Sequence, residues 1–182
     1  MTIPDRPPVL TVVVCAAGPA SHVTSLTKQA IERGWDVQVV STPAALAFID
    51  TAALEEQTGN PVRSHYSPPG SARSKVPDAI IVAPATYNTI CKWAFGTSDT
   101  YALGILAEMT GMGIPVIVLP YVNAALASRA PFRRSVESLR DEGVRILLGP
   151  GLIEPHQPRS GNDPGNFAWH LALDEAERLR HS

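Results

Sequence analysis

Cysteine is scarce in this chain, which holds two cysteines, Cys15 and Cys91, among 182 residues. The two stand far apart, and neither belongs to a Cys-x-x-Cys pair or to a group of closely spaced metal ligands. A disulfide-held secreted domain and a zinc module are therefore excluded, because both need several cysteines at short spacings. We expect no metal site.

An excess of charge of either sign is also missing. Lysine and arginine number 15, aspartate and glutamate number 17, and the formal net charge is −2. Proteins that bind nucleic acid or dock on anionic lipid rely on clustered positive charge, so neither partner is expected.

Long hydrophobic runs are absent as well. No stretch approaches the ~18 apolar residues that indicate a membrane-spanning helix. The segment Met1–Pro8 carries one acidic residue, one basic residue and two adjacent prolines, unlike the cationic start and apolar middle of a secretion signal. We therefore expect a cytoplasmic protein, folded as a single domain over residues 1–182, because this length buries a sizeable core.

The sequence is built from alternating strand-like and helix-like segments. Buried β-branched runs predict parallel strands over 9–15, 36–40, 79–82, 115–119 and 144–148. Helical periodicity predicts helices over 21–33 (capped by Ser21), 43–49, 51–58, 86–95, 101–112, 131–142 and 166–180. This order predicts an α/β fold: a doubly wound, mostly parallel sheet, Rossmann-like or flavodoxin-like, with helices on both faces and its core at about 9–148. The 149–165 segment, rich in glycine and proline, is either a lid or a mobile connection.

In such sheets ligands bind at the carboxyl ends of the strands, so the loops after the first four strands are the candidate site. The first loop consists of small residues, among them Gly18, Pro19 and Ala20. It suits the close approach of a phosphate to backbone N–H groups, although a tight turn without a ligand explains it equally well. The second strand ends at Ser41 and Thr42, whose hydroxyls either bind phosphate and sugar oxygens or cap the next helix.

The loop after the third strand concentrates hydrogen-bond donors. It runs from Pro84 and Ala85 through Thr86, Tyr87, Asn88 and Thr89 into a helix, an arrangement that suits an anion or the polar edge of a cofactor. A second polar turn, from Gly96 to Asp99, follows that helix. After the fourth strand comes Asn123, whose amide either binds a substrate carboxyl or closes its own turn.

These loops resemble the flavoprotein superfamily that contains phosphopantothenoylcysteine decarboxylase, the peptidyl-cysteine decarboxylases of lantibiotic maturation and the flavin prenyltransferases. The resemblance runs from about Val9 to Leu148 and is most specific over residues 83–99. That stretch is similar to the family's Pro-Ala-Ser-Ala-Asn-Thr segment, its helix and a Gly-x-x-Asp turn. The residues that agree with this pattern are Pro84, Ala85, Asn88, Thr89, Gly96 and Asp99. Thr86 replaces the usual serine and keeps its hydroxyl. Outside this stretch, Gly18 and Ser41 match the positions of the family's phosphate-loop glycine and second-strand hydroxyl.

The resemblance implies FMN, bound without a covalent link. The residues implied to bind it are Gly18, Pro19, Ala20, Ser41, Thr42, Ala85, Thr86, Tyr87, Asn88, Thr89 and Asp99. It also implies a small-molecule or peptide substrate, and a homotrimer or an assembly of trimers in which a neighbouring subunit completes each site.

Two departures from the family concern its chemistry. The position of the decarboxylase histidine, before the third strand, holds Gly70 here, and His65 lies on the same loop out of register. After the fourth strand, the pattern Pro-x-Met-Asn-x-x-Met-Trp keeps Pro120 and Asn123 but loses both methionines and the tryptophan. The same segment offers no cation of the kind that prenyltransferases bring to a phosphate.

Three functions fit these residues. The first is an FMN-dependent decarboxylase of a cysteine-like or peptide C-terminal substrate, in which Asn123 holds the carboxylate and His65 is a substitute acid or base. A solvated loop histidine is the competing interpretation of His65, and the one we favour. The second is a redox flavoprotein without decarboxylation, and the third is a flavin-binding accessory or regulatory protein. A dinucleotide dehydrogenase is set aside, because the three-glycine fingerprint and the acidic residue after the second strand are missing.

Overall fold

The computed structural model of the protein describes residues 6–68, 70, 74–160 and 164–180. Across these residues five strands form one sheet: β1 (Val9–Val14), β2 (Asp36–Ser41), β3 (Ala79–Ala85), β4 (Val116–Pro120) and β5 (Arg145–Ile146). The order across the sheet is β2-β1-β3-β4-β5, and each neighbouring pair is parallel. The predicted doubly wound fold is confirmed, and its strand order is the flavodoxin-like one.

Helices cover both faces of the sheet. They are α1 (Val23–Glu32), α2 (Thr51–Thr58), α3 (Tyr87–Ala94), α4 (Tyr101–Gly111), α5 (Ala124–Ala127), α6 (Ala130–Asp141) and α7 (Trp169–Arg180). α1, α2 and α7 pack on one face, and α3, α4 and α6 on the other. Successive side chains of a strand point to opposite faces, so Val12 and Val14 of β1 join the first core while Val13 joins the second. Among the helices described, none is long and apolar enough to cross a membrane.

Two of the predicted helices are wrong near the first loops. α1 begins at Val23 and not at Ser21, because a 3-10 turn, Gly18–His22, precedes it. The Ser21 hydroxyl donates to the Gly18 carbonyl oxygen at 3.2 Å and does not cap α1. The predicted helix over 43–49 is a 3-10 turn, Pro43–Ala47, since a segment this short favours the tighter turn.

The end of the chain also departs from the prediction. β5 is shorter than the predicted 144–148 strand, because Leu148 pairs with Ile153 across the turn at Gly149, whose φ is 130°. The last helix begins at Trp169, after a 3-10 turn, Pro164–Asn166. Within the 149–165 segment, predicted as a lid or a mobile connection, His156 forms a bridge with Asn123 after β4, and residues 161–163 lie outside the described residues.

An ion-paired carboxylate fixes α7 to the end of the sheet. Glu175 accepts from Nε of Arg145 on β5 at 2.6 Å and from Nη2 of Arg178 at 2.8 Å. The Glu175 side chain is only 13% exposed. Its hydrogen bond with Arg178, supported by the charge of Arg145, holds the pKa of this carboxyl below its usual value despite the opposing effect of burial.

The outer edge of β2 is occupied by the segment that follows α2. The side-chain amide of Asn60 donates to the Val37 carbonyl oxygen at 2.9 Å. The Arg63 N–H donates to the Val39 carbonyl oxygen at 3.0 Å, and the Ser41 N–H donates to the Arg63 carbonyl oxygen at 2.7 Å. Residues 60–63 therefore satisfy backbone groups of β2 that face away from β1.

Candidate functional site

The strand order reverses between β1 and β3, because the chain passes from β1 out to β2 and returns on the other side of β1. At such a switch point the loops after the two central strands diverge and leave a crevice at the carboxyl ends. Backbone hydrogen bonds align the loops: Cys15 N–H to Pro84 O (3.2 Å), Thr42 N–H to Val14 O (2.9 Å) and Tyr121 N–H to Ala85 O (2.8 Å). The loops after β1, β2, β3 and β4 therefore begin side by side.

The loop after β1 has backbone donors but no side chain that caps them. Its 3-10 turn starts at Gly18, which is exposed, while Pro19 and Ala20 are buried. The residue before the turn, Ala17, makes no side-chain cap, and no acidic residue lies in the first turn. The Gly18 N–H is a donor that this turn offers to an anion, whereas Pro19 has no N–H and the Ala20 N–H donates to the Ala17 carbonyl oxygen at 2.9 Å. Gly18, Pro19 and Ala20 stay predicted phosphate contacts.

Ser41 and Thr42 differ in how free their hydroxyls are. Ser41 is fully buried, and its hydroxyl donates to the Thr42 carbonyl oxygen at 2.9 Å. Thr42 is half-buried, and its hydroxyl has no hydrogen-bond partner within the described part of the chain. Of the two, Thr42 is the side chain with a donor left for a ligand.

The loop after β3 uses two of its hydroxyls internally. Thr86 caps α3, because its Oγ1 accepts from the Thr89 N–H at 3.3 Å and lies 3.1 Å from the Thr89 Oγ1. Thr89 is only 4% exposed, so its hydroxyl faces the protein interior. Asn88 is exposed, and its amide has no partner among the residues that the structure describes. Asn88 is thus the polar side chain of this loop with unused donors.

Cys15 lies beneath these loops and connects them. Burial raises the pKa of its thiol above the usual value, and hydrogen bonds with Thr89 and Thr86 offset only part of this effect. A buried neutral thiol is a poor nucleophile, so Cys15 serves as a packing residue at the floor of the crevice.

Tyr87 packs against the protein itself. Its ring stacks on Phe132 of α6, with the ring centres 5.6 Å apart and the planes at 15°. Its hydroxyl accepts a hydrogen bond from Nη1 of Arg129 at 3.0 Å. Residues 120–123 after the fourth strand contain no cationic side chain, but Arg129, a few residues further along, places a guanidinium at this loop.

Asn123 closes its own turn and keeps an unused donor. Its Oδ1 accepts from the Leu126 N–H at 2.9 Å, which caps α5. The chain beside it is fixed by His156, whose carbonyl oxygen accepts from the Ala124 N–H at 2.8 Å and whose ring lies 4.6 Å from that of Tyr121. Within the described residues the Asn123 Nδ2 has no acceptor, so this amide can donate to a carboxylate at the crevice.

His65 lies on the exposed loop that follows the edge segment of β2. Its Nδ1 is 2.8 Å from the Ser64 hydroxyl, and the ring is exposed. The neighbouring Tyr66 anchors this loop on α4 through an edge-on contact with Tyr101, with ring centres 5.1 Å apart. No described hydrogen bond joins His65 to the four loops of the site.

Asp99 stands at the opposite end of α3 from Thr86. It forms an ion pair with Lys92, with an oxygen–nitrogen distance of 2.5 Å. A helix of eight residues is about 12 Å long, so α3 separates Asp99 from the loop at its own N-terminus.

A separate groove of about 790 Å³ runs along the α4 side of β2. Its walls include Gln38, Arg63, Tyr66 and Tyr101, and none of the predicted FMN-binding residues lines it. The groove is therefore distinct from the crevice at the carboxyl ends of the strands.

His156 and Arg129 make contacts at the site that the sequence alone did not predict. His156 reaches the end of β4 through a bridge to Asn123, and Arg129 reaches Tyr87 across a separation of 42 positions. Neither contact follows from periodicity or spacing. A lone basic residue just before a predicted helix was the only available signal for Arg129.

Comparisons with known proteins bear on this arrangement. A family model described as Flavoprotein matches residues 4–166. The coenzyme A biosynthesis bifunctional protein CoaBC of Vibrio parahaemolyticus is 30% identical over 158 residues, which cover 76% of this chain and 39% of that protein. CoaBC of Escherichia coli is 30% identical over 143 residues, covering 74% of this chain and 34% of that protein. The chain thus spans less than two fifths of the length of these curated relatives.

Solved structures share the fold at lower identity. A cysteine-to-serine variant of PPC decarboxylase, complexed with pantothenoylaminoethenethiol, superposes with a TM-score of 0.72 at 18% identity and covers 97% of this chain and 100% of its own. The FMN-dependent cysteine decarboxylase TvaF from thioviridamide biosynthesis superposes with a TM-score of 0.69 at 23% identity, covering 93% of this chain and 98% of its own.

Proposed function

Because the chain belongs to the flavoprotein family, we propose that it binds FMN without a covalent link in the crevice between the ends of β1 and β3. The observation that carries this proposal is the set of unused donors around one switch point: the uncapped turn at Gly18, the Thr42 hydroxyl and the side-chain amides of Asn88 and Asn123. These neutral donors suit the oxygens of a phosphate, a ribityl chain and a flavin ring.

Each loop has a proposed share in holding the cofactor. Gly18 receives the phosphate on its backbone N–H, Pro19 and Ala20 pack beside it, and Ser41 and Thr42 border it from the end of β2. Ala85, Thr86, Tyr87, Asn88 and Thr89 line the edge of the ring. Thr86 and Thr89 contribute mainly by fixing the backbone of this loop, because their hydroxyls bond each other.

The reaction that we propose is decarboxylation of a cysteine-like compound or of a peptide that ends in cysteine. Support comes from the curated CoaBC relatives and from the FMN-dependent cysteine decarboxylases that share the fold. Bound FMN supplies a two-electron oxidation of the thiol-bearing carbon, which makes loss of the neighbouring carboxylate easy.

The chain itself has to orient the carboxylate that is lost. Asn123 is suited to this task, because its Oδ1 is fixed by the α5 cap and its Nδ2 remains available as a donor. A neutral amide holds a carboxylate without pairing it with a full positive charge, so departure of carbon dioxide is not opposed by a tight ion pair. His65 is the candidate for proton transfer, and its exposure on a loop favours a dispensable role.

The assembly that we propose is a cytoplasmic homotrimer, or a larger particle built from trimers. Asp99, implied by the resemblance to bind FMN, is separated from Thr86 by the length of α3, and we propose that it contacts the flavin of a neighbouring chain. Phe95, next to the same turn, is 90% exposed, which is unusual for a large apolar side chain. Light scattering of the flavin-loaded protein should give a mass that is a multiple of three chains of 19.4 kDa; the mass of a monomer would refute the trimer.

One experiment separates the candidate functions. The purified protein is loaded with FMN, the chromophore is identified after release, and the loaded protein is mixed without oxygen with a peptide that ends in cysteine or with an N-acylcysteine. Bleaching of the flavin with release of carbon dioxide supports the decarboxylase. Bleaching without carbon dioxide would indicate a redox flavoprotein, and a protein that takes up no FMN would be an accessory protein that has lost the cofactor.

A further inference from the structure

The backbone of His156 is fixed to the segment after β4 on both sides of Asn123. The His156 N–H donates to the Val122 carbonyl oxygen at 3.2 Å, and its carbonyl oxygen accepts from the Ala124 N–H at 2.8 Å. These two bonds form the parallel bridge between His156 and Asn123. His156 therefore has a set position beside the residue that we propose to hold the substrate carboxylate.

The side chains of His156 and Asn123 lie on the same face of this bridge. Directly paired residues of neighbouring extended segments point to the same face, with their backbones about 4.8 Å apart. Tyr121, two positions before Asn123, shares that face, and its ring stacks on the His156 ring with 4.6 Å between the centres and 30° between the planes. Val122, between them in sequence, points the other way into the core. The imidazole of His156 and the amide of Asn123 are thus neighbours.

Aromatic packing holds the His156 ring but leaves its nitrogens available. Tyr121 stacks on the ring, and Phe167 meets Tyr121 edge-on with the ring centres 5.9 Å apart. His156 is half-buried, and no described residue forms a hydrogen bond with either of its ring nitrogens. A neutral imidazole has one N–H and one unprotonated nitrogen, so this side chain can take up a proton and return it. His65, by contrast, is exposed and has its Nδ1 2.8 Å from the Ser64 hydroxyl.

We propose that His156, in place of His65, is the proton-transfer residue of the decarboxylation. This inference rests on the proposed function. When the bound flavin takes a hydride from the thiol-bearing carbon, the unprotonated ring nitrogen of His156 accepts the thiol proton, and a carbon–sulfur double bond forms. The bond to the carboxylate, held by Asn123, then breaks, and its electron pair forms a carbon–carbon double bond and leaves the sulfur as a thiolate. His156 returns its proton to that sulfur, so the products are carbon dioxide, an enethiol and the two-electron-reduced flavin.

The kinetic test compares His156→Gln with the wild type, each loaded with FMN and supplied with N-acetylcysteine. Glutamine keeps a hydrogen-bonding side chain but cannot carry a proton. We expect kcat to fall about 100-fold with little change in KM, because general acid–base catalysis is lost while substrate binding is kept. Free imidazole should restore part of the rate of His156→Ala. The matched control is His170→Gln, because His170 is exposed on α7 and should leave kcat unchanged.

A labelling experiment tests the contact with substrate without turnover. Diethylpyrocarbonate modifies imidazole nitrogens, and mass spectrometry of the digested protein reports the extent of modification at each histidine. Saturating N-acetylserine, which has a hydroxyl in place of the thiol, should slow the modification of His156 severalfold. The modification of His170 should not change.

The outcomes separate this role from the proposed function. If the wild type releases carbon dioxide and His156→Gln does so at the same kcat, with equal flavin content, the proposal is overturned and the proposed function stands. A large fall in kcat for His65→Gln alone would likewise return the role to His65. If the FMN-loaded wild type releases no carbon dioxide, the proposed function is refuted and the role of His156 with it. Modification of His156 at the same rate with and without N-acetylserine would exclude its contact with the substrate.

Discussion

Replacing Thr86 by valine separates two roles of one hydroxyl. The Thr86 Oγ1 caps α3 by accepting from the Thr89 N–H at 3.3 Å, and we propose that the same loop binds FMN. Valine keeps the shape and removes the hydroxyl. Loss of a helix cap costs about 1 kcal/mol, which lowers the melting temperature of a chain of this size by about 2–4 °C. Because the Thr86 hydroxyl fixes the backbone of this loop, its loss should also loosen the proposed flavin contacts and cost about 1 kcal/mol of binding, a change of about fivefold in Kd.

The control for this variant is Thr100→Val. Thr100 caps α4 in the same way, by accepting from the Leu103 N–H at 3.2 Å, but it lies outside the predicted flavin loops. Thermal melts of the flavin-free proteins should show a similar decrease in melting temperature for both variants. Titration of FMN, followed by quenching of its fluorescence, should show weaker binding for Thr86→Val alone. If the two variants bind FMN equally well, Thr86 is only a helix cap and our reasoning about this loop is refuted.

Three further predictions concern other parts of the molecule. Asn88→Ala should change the free energy of unfolding by less than about 0.5 kcal/mol, because within the described residues the side chain is exposed and has no hydrogen-bond partner. The same variant should nevertheless lose most of its bound flavin. Stoichiometric FMN in the purified variant would contradict this. His65→Ala should leave kcat nearly unchanged, whereas a large fall in kcat at constant flavin content would make His65 a catalyst. Glu175 has a lowered pKa, so its contribution to stability is present above the usual carboxyl value of 4.5 and is lost as pH falls below it. Chemical unfolding measured from pH 7 to pH 3 should therefore show that the free energy of unfolding falls more steeply for the wild type than for Glu175→Gln. If the free energy of unfolding falls in parallel for the two proteins, Glu175 makes no such contribution.

The fold was predictable because its strongest signals are local. β-branched runs such as Val9–Val14 mark strands that are buried on both faces, and they alternate with helical segments in the order that a parallel sheet requires. The helix boundaries were less predictable where proline begins a segment. Pro19 is the second residue of one 3-10 turn and Pro43 the first residue of another, and the composition of such a turn does not differ from that of a short α-helix.

The site was predictable only as a set of loops. Strand order brings the four loops together, but which side chains keep free donors depends on contacts between them. The sequence predicted that Thr86 and Thr89 donate hydrogen bonds to a ligand, but in the structure their hydroxyls bond each other. Asn123 joins His156 across a long separation in the chain, and no local pattern encodes that pairing.

The covered edge of β2 constrains how copies of the chain can associate. An open edge strand offers unpaired backbone groups on which another chain can add a strand, which is a common route to aggregation. Asn60 and Arg63 already bond Val37, Val39 and Ser41 along that edge, and the strand at the opposite edge, β5, has only two residues. Any association between folded copies of the chain is thereby directed to their helical and loop surfaces. Opening of the 60–63 segment would expose the edge of β2 and make the chain prone to uncontrolled sheet extension.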